Sequence, residues 1–340
     1  MAIRAKLTAG AVVLTAVAVA GCGGGGSTDR AAAGDTLRVE LGRITDTAGH
    51  RAWVDFGDLG AQRKAGLTGT GPAASQLGQH GWGEIAPSAL LTQESFGFDG
   101  RKAKVAVEAG NAPDTGGRLD GGVDPSAVAP KVEALGGKPE KDGPAGRTWR
   151  LQEDHKISMT GPLASTFTGA SVGQFNLVRT GGSSLVHASS LAALDGVDAD
   201  GGRTLGGDAA FTAVATCLDH PLAAELTDHG AGDPKAAANG TVLGVGTRGA
   251  SATSLTNELC RTNPSASAAD ALAARLRAQL ASGSSRAADE PWSRLLTGAK
   301  VTVEGGPQHV VRLTGRPADG RGDVLMQALT TGDLASLLGP

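Results

Sequence analysis

"AKVAVEAG", residues 103–110, returns almost letter for letter as "AKVTVEGG" at residues 299–306. In each stretch Val alternates with a second residue type, the period-two pattern of a half-buried strand, and glycines close it. The flanks repeat as well. "LLT" stands before both, at 90–92 and 295–297, with Trp82 and Trp292 upstream. "RLDG" (118–121) follows the first stretch and "RLTG" (312–315) the second. An apolar strand candidate precedes each, "AWVDFGD" (52–58) and "TVLGVGT" (241–247). Repeated elements in a repeated order predict an α+β fold of two related halves, each an antiparallel sheet with helices packed on one face. On that reading Val105 and Val107 occupy places in one half that Val301 and Val303 occupy in the other.

"HVVRLTG" (309–315) supplies a further strand in the later half. "PSAVAPKVEALGG" (125–137) puts Val128, Val132 and Leu135 on one helical face and stops at Gly136, with Pro130 suited to a first turn. "DVLMQALTTGDLASLLG" (323–339) is helical by the same spacing. In the longer first half, "GRTWRLQ" (146–152), "QFNLVRTGG" (174–182) and "SSLVHASS" (183–190) read as strands, the last two as a hairpin. "DAAFTAVATCLDH" (208–220) reads as a helix. The Gly/Ala/Pro-rich "GAGDPKAAANG" (230–240) marks a boundary, which gives halves of 37–230 and 241–340 around a linker at 231–240.

The N-terminus reads as a secretory signal: a basic "MAIRAK", the short apolar run "LTAGAVVLTAVAVA", and small residues before a cut. The run is shorter than the ~20 apolar residues that a spanning helix needs. Its ending, Val19-Ala20-Gly21-Cys22, resembles the lipobox of bacterial lipoproteins. That resemblance implies cleavage after residue 21 and a diacylglyceryl group on Cys22, which places the chain on the extracytoplasmic face of the cell membrane. Loss of Arg4 and Lys6 with residues 1–21 takes the formal net charge from −3 to −5. Such an acidic body has no electrostatic attraction for anionic lipid or nucleic acid, so the lipid is the expected membrane contact. Residues 22–36, "GGGGSTDRAAAGD" among them, read as a flexible tether. The body resembles, loosely and without a specific motif, the secreted lipoproteins numerous in actinobacteria, which implies a location but no activity.

Beyond Cys22 only Cys217 and Cys260 remain. In an oxidising envelope compartment an isolated pair most simply forms one disulfide, and no C-x-x-C or Cys/His cluster suggests a metal instead. "SLTNELC" (254–260) reads as a helix, so the bond would join two helices.

Candidate chemistry is thin. "GASVG" (169–173) matches G-x-S-x-G, with Ser171 as nucleophile and Asp195 and His220 following in hydrolase order, but a strand rather than a helix follows it. His220, Glu225 and His229 in "LDHPLAAELTDH" (218–229), with Asp219 and Asp228, lack the spacing of a zinc site and suit helix-end capping. Asp195, Asp198 and Asp200 in "DGVDADGG" fit no calcium loop and read as a glycine-rich turn. Glu108 and Glu304, candidate paired acids, have no partner base nearby in sequence and read as scaffold. No P-loop, dinucleotide fingerprint or basic stripe is present, and aromatic content is only 3%, which leaves no cofactor, metal or nucleic acid to expect. The sequence therefore points to a non-enzymatic interaction or ligand-binding lipoprotein, with a serine hydrolase at Ser171 or a carrier of an apolar ligand as alternatives.

Overall fold

Alternating and wholly apolar runs form the strands of one large sheet, and helices lie between them in sequence. The computed structural model describes residues 35–339 apart from 84, 144, 168, 230–239 and 319. Its strands are β1 (Val54–Gly57), β2 (Val105–Ala109), β3 (Gly116–Asp120), β4 (Lys138–Gly143), β5 (Gly146–Arg150), β6 (Leu177–Gly181) and β7 (Ser184–Ala188). They continue with β8 (Ala223–Thr227), β9 (Leu243–Arg248), β10 (Thr256–Arg261), β11 (Ser284–Ser285), β12 (Glu290–Pro291), β13 (Leu296–Val303) and β14 (Val311–Pro317). Apart from the small β11–β12 pair, all join one antiparallel sheet in the order β13-β14-β10-β9-β8-β1-β2-β3-β7-β6-β5-β4.

Helices cover both faces of this sheet. On one face Val54, Phe56, Val107 and Leu226 pack under the helices Thr36–Leu41, Leu191–Gly196 and Ala209–Leu218. On the other, Ala106, Leu119 and Val178 lie beneath Ala89–Phe96 and Pro125–Ala134, while Val245, Leu259 and Leu313 lie beneath Ala266–Ser282, Val324–Thr330 and Leu334–Leu338. This corrects the expectation of two separate sheets with helices on one face. The cause is visible in β1, whose four residues are all buried. Val54 and Phe56 are covered on one face while Asp55 and Gly57 are covered on the other, so helices and turns must lie on both sides of the sheet.

The two "AKV" stretches both form strands but not equivalent ones. β2 is interior and turns Val107 to the first face; β13 is an edge strand and turns Val301 to the second. Val303, opposite Val311 at that edge, remains 39% exposed. The "LLT" flanks differ as well, lying within a helix at 90–92 and entering β13 at 295–297. Val107→Ala is accordingly expected to cost about 1–3 kcal/mol and Val303→Ala well under 1 kcal/mol, as read by urea unfolding. Equal losses would contradict the placement.

"SLTNELC" is β10 rather than a helix. Asn257 and Glu258 look solvent-facing in sequence, yet both are buried. Asn257 donates to Thr247 and to the Gly322 carbonyl, and Glu258 is held by Arg248 at 2.6 Å and Arg312 at 2.8 Å. Cys260 on this strand is joined to Cys217 near the end of the helix Ala209–Leu218. Closing that loop constrains the unfolded chain by roughly 4 kcal/mol in the entropic account. The helix Pro125–Ala134 starts before Pro130, because Asp124 caps it and Pro125 occupies its first turn.

At the N-terminal side, Asp35 caps the helix Thr36–Leu41, so the last two residues of the tether expected at 22–36 belong to the folded body. Cys22, residues 1–21 and the 231–239 part of the linker lie outside the described residues. Among the described residues no helix is long and apolar enough to cross a membrane.

Candidate functional site

Three carboxylates meet at the centre of the sheet. Register places Asp55 of β1 directly opposite Glu108 of β2 on one side and Glu225 of β8 on the other. Directly paired side chains on one face stand about 4.5–5.5 Å apart at Cβ, close enough for like charges to destabilise the sheet. Asp55 and Glu225 are buried, and Glu108 is partly so.

His80 answers this charge. It lies in the turn after the helix Pro72–Leu77, and its Nδ1 stands 2.8 Å from Asp55 Oδ1 and 3.7 Å from Glu225 Oε1. The next N–H, of Gly81, donates to Asp55 Oδ2 at 2.7 Å. Two glycines let the turn lie flat on the strands. A Cβ on Gly57 would stand 2.3 Å from the His80 carbonyl oxygen, and one on Gly81, where φ is +80°, would stand 2.2 Å from that of Ala106. On its far side His80 Nε2 is 3.9 Å from Asp323 Oδ2. Asp323 precedes the helix Val324–Thr330 in the capping position, yet its side chain makes no capping bond. It turns toward His80 instead.

Burial alone would drive the imidazole neutral, but the Asp55 charge, Asp323 and Glu225 outweigh it and hold His80 well above its usual pKa. Burial and the facing Asp55 charge push the Glu225 carboxyl up to about 8, against the pull of His80. A buried set of opposed charges with shifted protonation is a recognised mark of a functional centre.

Asp55 and Glu108 also floor a cleft of about 380 Å³. Gln174, Ser189 and residues 110–113 line it as well, with His155, which stands 2.6 Å from Asp114. The buried Oε1 of Gln174 has no hydrogen-bond partner among the described residues. Two carboxylates and this amide oxygen give the lining an acidic character. A second cavity, about 560 Å³, lies among Leu59, Leu67 and Trp82 with Arg63 and Arg101 beside them.

His187 extends the row. It is opposite Gly117, itself opposite Glu108, and stacks on Phe175 with ring centroids 4.6 Å apart. Burial lowers its pKa to about 4. Because the unfolded chain takes up this proton first, near pH 6.5, the fold keeps its full stability above that pH and loses it as pH falls toward 4. The expected loss from this group at pH 4.5 is about 2–3 kcal/mol. Denaturant unfolding at pH 7 and 4.5 should show that much less pH dependence in His187→Phe; an unchanged dependence would contradict a buried neutral imidazole.

The residues singled out in sequence are scattered. Ser171 lies in a 3₁₀ turn, Gly169–Phe175, leading into β6, so the strand–turn–helix setting of a nucleophile elbow is missing. That turn packs on one sheet face and the Asp195 helix on the other. Asp195 pairs with Arg179, and His220 is exposed beside Asp219. "AAELT" (223–227) is β8 rather than a helix end, which separates Glu225 from His220 and His229. Asp219 closes the preceding helix in a left-handed conformation, while Asp228 receives Arg51 at 2.8 Å. Asp198 is no turn residue alone: Arg43 reaches it at 2.8 Å, with Arg118 and Arg179 beyond. Glu304 meets Arg312 at 3.5 Å near the sheet edge, whereas Glu108 sits at the cleft floor. The pair is therefore no joint site, and Glu108 is more than scaffold.

Asp55, His80 and Asp323 went unmarked in the sequence. The available signal was Asp55 itself, a charge inside the continuous apolar run of "AWVDFG". No family model, curated protein or solved structure matches the chain.

Proposed function

We propose that this chain is a lipid-anchored ligand-binding module of the cell envelope, and that its ligand is a small molecule bearing a cationic amine. The observation that carries the reading is the cleft floored by Asp55 and Glu108. Its size is at the lower end of small-molecule sites, and its acceptors call for a donor-rich, positively charged group. A thermal-shift panel of primary amines and size-matched carboxylic acids tests it. Amines should raise the Tm of the wild type and not of Glu108→Gln; acids should do neither. No amine response, or one that survives in Glu108→Gln, would remove the assignment.

The anchor is supported by the lipobox-like ending at Cys22. Cys22→Ala should shift the protein from the detergent phase to the aqueous phase, and retention in detergent would contradict lipidation. The second cavity favours a second reading, carriage of an amphiphile whose apolar part contacts Leu59, Leu67 and Trp82. Lipid retained by the purified protein in native mass spectrometry would support it, and none retained would count against it.

The order of strands also supports a duplication, in a register other than the sequence repeat suggests. Outward from the β1–β8 junction the strands run β1-β2-β3-β7-β6 on one side and β8-β9-β10-β14-β13 on the other. We read these as two five-stranded units related by a two-fold axis through the Asp55–Glu225 pair, with β4 and β5 added to the first. Superposing the units should pair Asp55 with Glu225; a best fit in another register would contradict it.

A further inference from the structure

The central cluster contains more than a histidine paired with an aspartate. Ligand-type atoms of Asp55, His80 and Glu225 all lie within 4.8 Å of one another. Glu225, although buried, has no good donor: Thr330 Oγ1 is 3.5 Å from each carboxylate oxygen and His80 Nδ1 is 3.7 Å away. Those distances exceed normal hydrogen bonds to a carboxylate. Asp323, also buried, keeps one oxygen, Oδ1, without a hydrogen-bond partner among the described residues. Its carboxylate has turned away from the helix end it would ordinarily cap and faces Nε2 of His80. Asp55 and Glu225, both buried, share the other ring nitrogen, Nδ1, which reaches Glu225 only at 3.7 Å; such a pair is costly unless a cation joins all three groups.

We propose that Asp55, His80 through its Nδ1, and Glu225 bind one first-row divalent cation of the Zn²⁺ or Mn²⁺ class, with Asp323 facing the opposite ring nitrogen and orienting the imidazole. Two carboxylates with one imidazole suit such ions, whereas Ca²⁺ and Mg²⁺ favour oxygen alone. Ligands about 2.1 Å from a shared ion stand at most about 4.2 Å apart, so the set closes by roughly half an ångström. The ion takes the place of the proton now shared between His80 and Asp55 and of the proton on the Glu225 carboxyl, and these leave to solvent. Access is through the cleft, since Asp55 belongs to both the cleft floor and the cluster. The Gly81 N–H bond to Asp55 Oδ2 leaves Oδ1 as the ligand atom.

This site does not depend on the amine reading of the cleft, and Glu108→Gln separates the two. Full-length protein stripped with chelator is titrated calorimetrically with ZnCl₂, MnCl₂, CaCl₂ and MgCl₂. One Zn²⁺ or Mn²⁺ per chain is expected, with Ca²⁺ and Mg²⁺ at least tenfold weaker. Glu225→Gln and Asp55→Asn should each weaken binding tenfold or more, while Glu108→Gln leaves it unchanged. Circular dichroism identifies the folded variants, and either isostere alone suffices for the test. The proposal is overturned by absent or non-stoichiometric uptake in the wild type, by equal binding of Ca²⁺ or Mg²⁺, or by wild-type affinity in a folded Glu225→Gln or Asp55→Asn protein.

Discussion

Gly81→Ala is expected to destabilise the protein by about 3–5 kcal/mol. Two costs combine. The residue sits at φ +80°, where an L side chain is strained, and its new Cβ would stand 2.2 Å from the Ala106 carbonyl oxygen and 2.9 Å from the Gly57 nitrogen. Both neighbours are strand backbone in the middle of the sheet, so neither can yield cheaply. The turn would lift, taking with it the N–H that Gly81 donates to Asp55 and the His80 ring beside it. Gly83→Ala is the internal control. Its nearest non-neighbouring atom lies at 3.4 Å, an ordinary contact, and a loss below about 1 kcal/mol is expected. Urea unfolding of both variants decides the matter: comparable small losses would mean that the His80 turn does not press on the strands.

Arg118→Met should cost a similar 3–5 kcal/mol for a different reason. The Arg118 side chain is fully buried on the face opposite the cleft, and its guanidinium meets the Glu40 carboxylate, Asp120 at 3.0 Å and the Val197 carbonyl. Removing the cation leaves Glu40 buried without its partner. The double variant Arg118→Met/Glu40→Leu should recover much of the loss, because exchanging a whole buried ion pair for apolar groups is often neutral. Guanidinium-chloride unfolding of the two variants checks this. A double variant no more stable than the single one would show that the cost lies in packing and not in the orphaned charge.

Strands were legible where period and composition agreed. β2, β5 and the β6–β7 hairpin fall within their expected segments, as does the helix Ala209–Leu218, while β14 begins inside 309–315 and runs on to Pro317. The Cys pair was legible by elimination, from two cysteines alone in the body. β10 was not, because period-based reading assigns polar residues to solvent, whereas Asn257 and Glu258 are buried through partners distant in sequence. For the same reason the extent of the sheet was hidden. Whether two halves pack apart or share one sheet depends on the β1–β8 pairing, and neither strand announces its neighbour. The repeated "AKV" text joined an interior strand to an edge strand, since similar sequence in a Val/Gly-rich chain records strand character and not position. The central cluster illustrates the limit most clearly. Asp55, His80, Glu225 and Asp323 come from four separated segments, and only tertiary register brings them together. Even so, a carboxylate inside an apolar run such as "WVDFG" is a readable sign of buried charge, and buried charge is paired or functional.

In the proposed function the acidic lining of the cleft receives a cationic group. Isothermal titration of the strongest primary-amine binder, set against its N-acetylated form, tests this most directly. Acetylation removes the charge while keeping the carbon skeleton, so the amine should bind at least tenfold more tightly to the wild type, and the difference should vanish in Glu108→Gln. Equal affinity for the amine and its acetylated form in the wild type would contradict the account.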